Sequence, residues 1–218
     1  MKVSISTTLV VLALLLNGCE KERIKGGGPV QDEFRDLPAF TKVSTLGSSN
    51  VIINYGTAFS VKLSGYSNLL PHFETRVLNN ELVVGYRHGV NISNDNITVH
   101  IVMPDLHGVN ISGSADISVP GIFENVPAFS CNISGSGKII VDSLTTQSLS
   151  CNISGSGKII AFGLHASTAN VDISGSGSAE ISVANNLNVN ISGSGTVYYR
   201  GNPVVNSTIS GSGRLIHQ

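Results

Sequence analysis

Cys131-Asn132-Ile133-Ser134-Gly135-Ser136-Gly137-Lys138-Ile139-Ile140 recurs unchanged as Cys151 to Ile160. Self-similarity of this kind decides the fold before any single segment is read. Its shorter core, Ile-Ser-Gly-Ser, begins at Ile111, Ile133, Ile153, Ile173, Ile191 and Ile209, at spacings of 22, 20, 20, 18 and 18 residues. Five of the six copies continue into a second glycine, and the first carries Ala115 there.

Aligned on the isoleucine, the position two residues earlier is Val109, Cys131, Cys151, Val171, Val189 and Ser207. The position between is Asn110, Asn132, Asn152, Asp172, Asn190 and Thr208. Apolar, polar, apolar is the period of a strand, with the Val/Cys and Ile columns facing inward and the Asn column outward. The Ser-Gly-Ser-Gly run then turns the chain, because glycine enters positive-φ conformations without steric cost. A second short strand follows, as in Lys138-Ile139-Ile140-Val141 and Lys158-Ile159-Ile160-Ala161.

A unit of about 20 residues cannot bury its apolar face alone, so successive units must stack and pair in register. The expected fold is all-β, a parallel β-helix or β-solenoid. Six coils at about 4.8 Å each make a section of roughly 25 to 30 Å. Cys131 and Cys151 occupy a column held elsewhere by Val, which favours small buried hydrophobes with free thiols. A bridge between adjacent coils is the alternative, disfavoured because stacked side chains run parallel.

Residues 37–106 are strand-rich but less regular, with runs such as Val51-Ile52-Ile53, Arg76-Val77-Leu78, Leu82-Val83-Val84 and Ile97 to Ile101. Asn79-Asn80 lies between two of these runs and signals a two-residue hairpin, since Asn tolerates positive φ. This half is expected to pair locally and cap the first coil of residues 107–218, within one continuous core.

The N-terminal segment sets location. Lys2, the apolar run Leu9 to Leu16 and then Asn17-Gly18-Cys19 form a secretory signal too short to span a bilayer stably. Leu16, Gly18 and Cys19 resemble the bacterial lipobox, with Asn17 a departure from the usual Ala or Ser. That resemblance implies cleavage after residue 18 and acylation of Cys19 with chains such as palmitate. Two or more such chains give stable membrane anchoring. An ordinary signal peptide cleaved nearby is the alternative. Residues 19–36, charged at Glu20 to Lys25 and glycine-rich at Gly26 to Gly28, read as a flexible tether. The acidic residues behind Cys19 resemble surface-export signals of Bacteroidetes lipoproteins, which leaves the outer or the periplasmic face of an outer membrane open.

The paired strands, Met103-Pro104-Asp105-Leu106 and the serial Ile-Ser-Gly-Ser-Gly copies together resemble the family described as putative auto-transporter adhesin, head GIN domain, over about residues 37–216. The resemblance implies a lipid-anchored or secreted all-β domain with no catalytic residue to carry over, and an adhesin-like role by analogy.

Composition narrows the chemistry. A formal charge of -1 and 12% charged residues give no footprint for nucleic acid. Gly135-Ser136-Gly137-Lys138 lacks the upstream glycine and following Ser/Thr of a phosphate loop, and its repetition at Gly155 to Lys158 marks a structural turn. His72, His88, His100, His107, His165 and His217 lack metal-ligand spacing, so no metal or cofactor is expected. Lys138 and Lys158 alternate with Asp116, Ser178, Thr196 and Arg214 as a solvated face does. The Asn-x-Ser/Thr sites at Asn91, Asn96, Asn110, Asn132, Asn152, Asn190 and Asn206 follow from the strand repeat. Asp142-Ser143-Leu144 resembles a Bacteroidetes O-glycosylation sequence, which makes Ser143 a candidate.

The leading expectation is therefore a non-catalytic binding or structural module of the cell envelope, taking a glycan or a surface protein as partner. An envelope polysaccharide enzyme would need converging carboxylates, with Glu74, Glu81 and Asp105 as candidates. A lipid-binding protein would need an apolar cavity in residues 37–106. The final strand, Arg214 to Gln218, is expected to meet a second copy or the tether, because an open edge invites pairing.

Overall fold

In the computed structural model, residues 22–218 are described. Seventeen strands form in chain order. The first nine are β1 (Glu22–Lys25), β2 (Val30–Arg35), β3 (Lys42–Gly47), β4 (Asn50–Tyr55), β5 (Ser60–Tyr66), β6 (Phe73–Leu78), β7 (Glu81–Tyr86), β8 (Val90–Ser93) and β9 (Thr98–Met103). The remainder are β10 (Gly108–Gly113), β11 (Asp116–Gly135), β12 (Lys138–Gly155), β13 (Lys158–Gly175), β14 (Ser178–Gly193), β15 (Thr196–Arg200), β16 (Val204–Gly211) and β17 (Arg214–His217).

The repeat winds into a β-solenoid of about six turns over residues 108–217. Each long strand bends through three sides. In β12, residues 138–141 lie on one side, 143–146 on the second and 148–155 on the third, and residues 138–140, 144, 146 and 148–155 are in parallel register with both the rung before and the rung after. The register is the one the repeat dictates: Asn132 opposes Asn152, Ile133 opposes Ile153 and Gly135 opposes Gly155. Inward columns are sealed, with Val109, Cys131, Cys151, Ile139 and Ile159 fully buried.

Both glycines of each turn have a structural reason. Gly135 has φ +131°, and a Cβ there would stand 2.2 Å from the carbonyl oxygen of Gly113 in the rung beneath. Gly137 instead packs directly over Ile111, whose Cγ2 would lie 2.7 Å from an added Cβ. Even the turns are laddered: Ser136 N–H donates to Gly113 O at 3.0 Å and Lys138 N–H to Ala115 O at 3.0 Å.

The less regular half departs from a pure cap. β3 and β4 form a rung in register with the repeat, since Val43 opposes Val109, Thr45 opposes Ile111 and Gly47 opposes Gly113. β7 and β9 form another rung, parallel to β3 and β4. The antiparallel cap is built from β2, β5 and β6 alone. Rung order is thus not chain order: the β3–β4 rung is sandwiched between β7–β9 and β10–β11. Asn79 and Asn80, at φ +51° and +61°, make the expected hairpin between β6 and β7. One hydrophobic core runs from Phe40 to Val197.

Strands also occur inside the stretch read as tether. β1 pairs with β8 and β2 with β5, so polar sequence is held there by backbone pairing rather than by burial. Glu22 and Arg87 add an exposed ion pair at 2.6 Å.

Candidate functional site

The side of the solenoid formed by residues 148–155 and their equivalents is a flat parallel ladder whose outward positions repeat Asn and Ser. Ser112, Ser134, Ser154, Ser174, Ser192 and Ser210 form one exposed column, one hydroxyl per rung. Beside it runs the Asn column. Asn110 Nδ2 donates to Glu81 Oε1 at 2.6 Å, Asn132 Nδ2 to Asn110 Oδ1 at 2.7 Å, and Asn152 Nδ2 to Asn132 Oδ1 at 2.7 Å. Asn190 Nδ2 donates to Asp172 Oδ1 at 2.9 Å. A third column links Asn188 to Asn170 at 2.8 Å and Asn206 to Asn188 at 3.2 Å.

Between the Asn and Ser columns lies a shallow groove of about 670 Å³, lined by those two columns and by the isoleucines between them. Among the described residues that line it, Asp172 alone is charged. Hydroxyl and amide groups fixed on a rigid sheet are pre-ordered donors and acceptors, so a ligand meets them with little further entropy loss.

The other residues singled out from sequence fall in separate settings. Glu74 of β6 lies 3.9 Å from Arg76 across an exposed strand surface. Glu81 at the start of β7 accepts from Asn110. Asp105 sits in the connection from β9 to β10. Among the described residues no group of three His, Cys, Asp or Glu side chains is placed to hold a metal ion. Lys138 pairs with Asp116 at 3.1 Å and Lys158 with Glu180 at 3.4 Å, so the phosphate-loop-like strings end in rung-to-rung ion pairs. Ser143 is half-buried within β12, opposite Ile122. Cys131 and Cys151 oppose each other as buried free thiols. A hydrogen bond to Cys151 and burial push the Cys131 thiol well up from its ordinary range. Cys19 lies outside the described residues.

Two features escaped the sequence reading. Asp95 accepts from Ser49 Oγ at 2.9 Å, from the Tyr86 hydroxyl at 2.5 Å and from Ile97 N–H at 2.9 Å, joining β7 to the residues that lead into β4 and β9. The second is a pocket beside β11, where the register shifts between Val119 and Ile122 and again between Phe123 and Val126. Its signal was present in the repeat: the 22-residue spacing from Ile111 to Ile133 exceeds every other.

These features define a parallel β-solenoid that carries a polar ladder on one flat face. A family model described as "Putative auto-transporter adhesin, head GIN domain" matches residues 39–203, and the chain belongs to that family. Among solved structures it is similar to a putative adhesin from Bacteroides fragilis, with TM-score 0.75 and 18% identity over 89% of this chain and 100% of that one. A putative adhesin from Parabacteroides merdae matches with TM-score 0.59 and 20% identity over 90% and 99%. A putative lipid binding protein from Parabacteroides distasonis matches with TM-score 0.61 and 18% identity over 90% and 100%. At these identities the likeness speaks for the fold. Comparison with curated proteins finds no match.

Proposed function

We propose that this chain is a non-catalytic, adhesin-like binding module, held at the cell envelope by lipid on Cys19, that grips an extended hydroxyl-rich polymer along its Asn/Ser face. One observation carries the reading: six exposed serine hydroxyls stand in register beside an amide ladder, on a face with almost no charge. A rung spacing of about 4.8 Å is close to the length of one sugar ring in an extended glycan, so successive rungs can address successive sugars. Uncharged hydrogen-bonding groups suit a neutral polysaccharide better than an ionic partner. The family description and the adhesin names of the B. fragilis and P. merdae relatives agree with a binding role outside the cytoplasm.

The P. distasonis relative raises lipid binding as a second reading. Here the interior of the N-terminal half is filled by Val43, Ile53, Leu63, Val99 and Ile101, all 0% exposed. A lipid chain would have to displace this core, and the polar face is therefore favoured.

Anchor and address are tested together by shaving intact cells with protease. The natural protein should fractionate with membranes and be cut from outside, whereas Cys19→Ala should appear in the soluble fraction. Retention of Cys19→Ala on the membrane would refute the lipid anchor. The last rung, β16 and β17, pairs with β14 and β15, and Ile209 of its core column is 39% exposed. Association of two copies through this rung belongs to the same proposal, and sedimentation of the lipid-free domain as a monomer would remove it.

A further inference from the structure

The pocket beside β11 is a second, discrete site. Its two walls come from the β9–β10 connection, with Pro104, Asp105 and His107, and from the bulged side of the first coil, Ile122 to Pro127. At about 400 Å³ it falls within the range of small-molecule pockets, roughly 300 to 1,000 Å³. None of its lining residues belongs to the Asn/Ser groove.

Both walls are fixed in place. Asn125 takes a left-handed conformation at φ +57°, and its N–H donates to Thr145 Oγ1 of the next rung at 2.9 Å. Phe123 and Val126 anchor the bulge in the core, at 2% and 6% exposure. Gly121 lets the bulge cross β4 closely, since a Cβ there would stand 2.4 Å from Tyr55 N. On the opposite wall Leu106 is fully buried and His107 N–H donates to Thr41 O at 2.7 Å. This rigid frame nevertheless leaves Tyr55 54% exposed and Ile122 60% exposed. The Tyr55 ring stands edge-to-face with Phe123, centroids 5.7 Å apart, so its orientation is set by the core.

A held, exposed aromatic ring offers a negative π-face to the polarised C–H groups of a ligand. Beside it stand two exposed carboxylates, Asp105 and Glu124, an imidazole at His107, and no Lys or Arg among the lining residues described. Carboxylates accept paired hydrogen bonds from neighbouring hydroxyls and repel anions. We infer that this pocket binds a single pyranose ring, neutral or amino-bearing, with its apolar face on Tyr55 and its hydroxyls on Asp105 and Glu124. Acidic sugars are excluded by the same carboxylates. The site stands on geometry independent of the Asn/Ser face.

The test is saturation-transfer NMR on the mature chain, with methyl β-glucoside, methyl β-galactoside, methyl β-glucosaminide and methyl β-glucuronide as probes. At least one of the first three should show transfer, and the glucuronide none. Tyr55→Ala and the double variant Asp105→Asn/Glu124→Gln should each weaken binding tenfold or more, with circular dichroism unchanged. Ser134→Arg on the flat face should leave it intact, which separates this site from the other. Absence of transfer from all three sugars would overturn the assignment, as would binding of tri-lysine in their place or sugar binding by both pocket variants as tight as by the natural protein.

Discussion

Asn190 Nδ2 donates to Asp172 Oδ1 at 2.9 Å, whereas Asn152, on the other side of Asp172, donates away from it to Asn132 Oδ1 at 2.7 Å. The amide ladder has a direction, each Nδ2 reaching toward the preceding rung. An ionised aspartate has no proton to continue it, so acceptor faces acceptor between Asn152 and Asp172. Asp172→Asn supplies the missing donor. The expected gain is about 0.5–1 kcal/mol, the net worth of one exposed-to-intermediate hydrogen bond. Calorimetry should register it as a rise in Tm of roughly 1–4 °C for a domain of this size. An unchanged or lowered Tm would show that the ladder polarity has no energetic weight.

The turn glycines should differ in cost by position. Gly155 has φ +122°, and a Cβ would stand 2.4 Å from Gly135 O, with paired rungs on both sides. Gly155→Ala combines left-handed strain with a backbone clash, for a cost of about 3 kcal/mol or more. Gly211, at φ +113° and 2.5 Å from Gly193 O, belongs to the last rung. That rung can give way locally. Urea midpoints should therefore fall much further for Gly155→Ala than for Gly211→Ala.

Burial of the thiol pair predicts both chemistry and pH dependence. Cys131→Val should be tolerated within about 1 kcal/mol, because Val109, Val171 and Val189 fill the same column without strain. The raised Cys131 value means the folded state keeps its proton where the unfolded chain loses it. Stability from this group is complete below the ordinary thiol value of about 8.5 and declines as pH rises above it. Denaturation at pH 7 and pH 9.5 should show the decline in the natural protein and less of it in Cys131→Val/Cys151→Val. Rapid labelling of both thiols in the native state at pH 8 would contradict their burial.

Asp95 should matter more than any surface ion pair. Asp95→Ala strands the Tyr86 hydroxyl, the Ser49 hydroxyl and the Ile97 N–H, which costs about 2–4 kcal/mol when part-buried donors lose a charged acceptor. Burial first and the Asp95 bond second hold the Tyr86 phenol well above its usual value. Ultraviolet titration of Asp95→Ala should bring one tyrosine part of the way down, with the share due to burial remaining. By contrast Glu22→Ala, which removes an exposed pair with Arg87, should cost no more than about 1 kcal/mol.

The solenoid was legible because its determinants are local and repeated. An Ile column with glycines at fixed offsets admits one register, and Asn132 duly opposes Asn152 and Gly135 opposes Gly155. The β3–β4 rung was hidden because its copy of the motif is degenerate: Ser44 replaces the outward asparagine, Thr45 the isoleucine and Leu46 the outward serine, with Val43 and Gly47 preserved. Its place between β7–β9 and β10 depends on strand order, which periodicity does not encode. β1 and β2 were obscured by polar sequence stabilised through long-range backbone pairing to β8 and β5. The polar face was legible as columns, since outward Asn and Ser recur with the inward Ile. The β11 pocket required three segments, Tyr55, Pro104 to His107 and Ile122 to Pro127, that meet only in the fold.

The central claim, that the Asn/Ser face grips a glycan, is tested most directly by co-sedimentation of the lipid-free domain with insoluble polysaccharides, chitin and cellulose among them. The natural domain should partition with at least one of them. Ser134→Arg/Ser174→Arg, which blocks two exposed rungs of the groove without touching the core, should abolish that partition with the fold intact by circular dichroism. Equal partition of the natural domain and this variant would contradict the account.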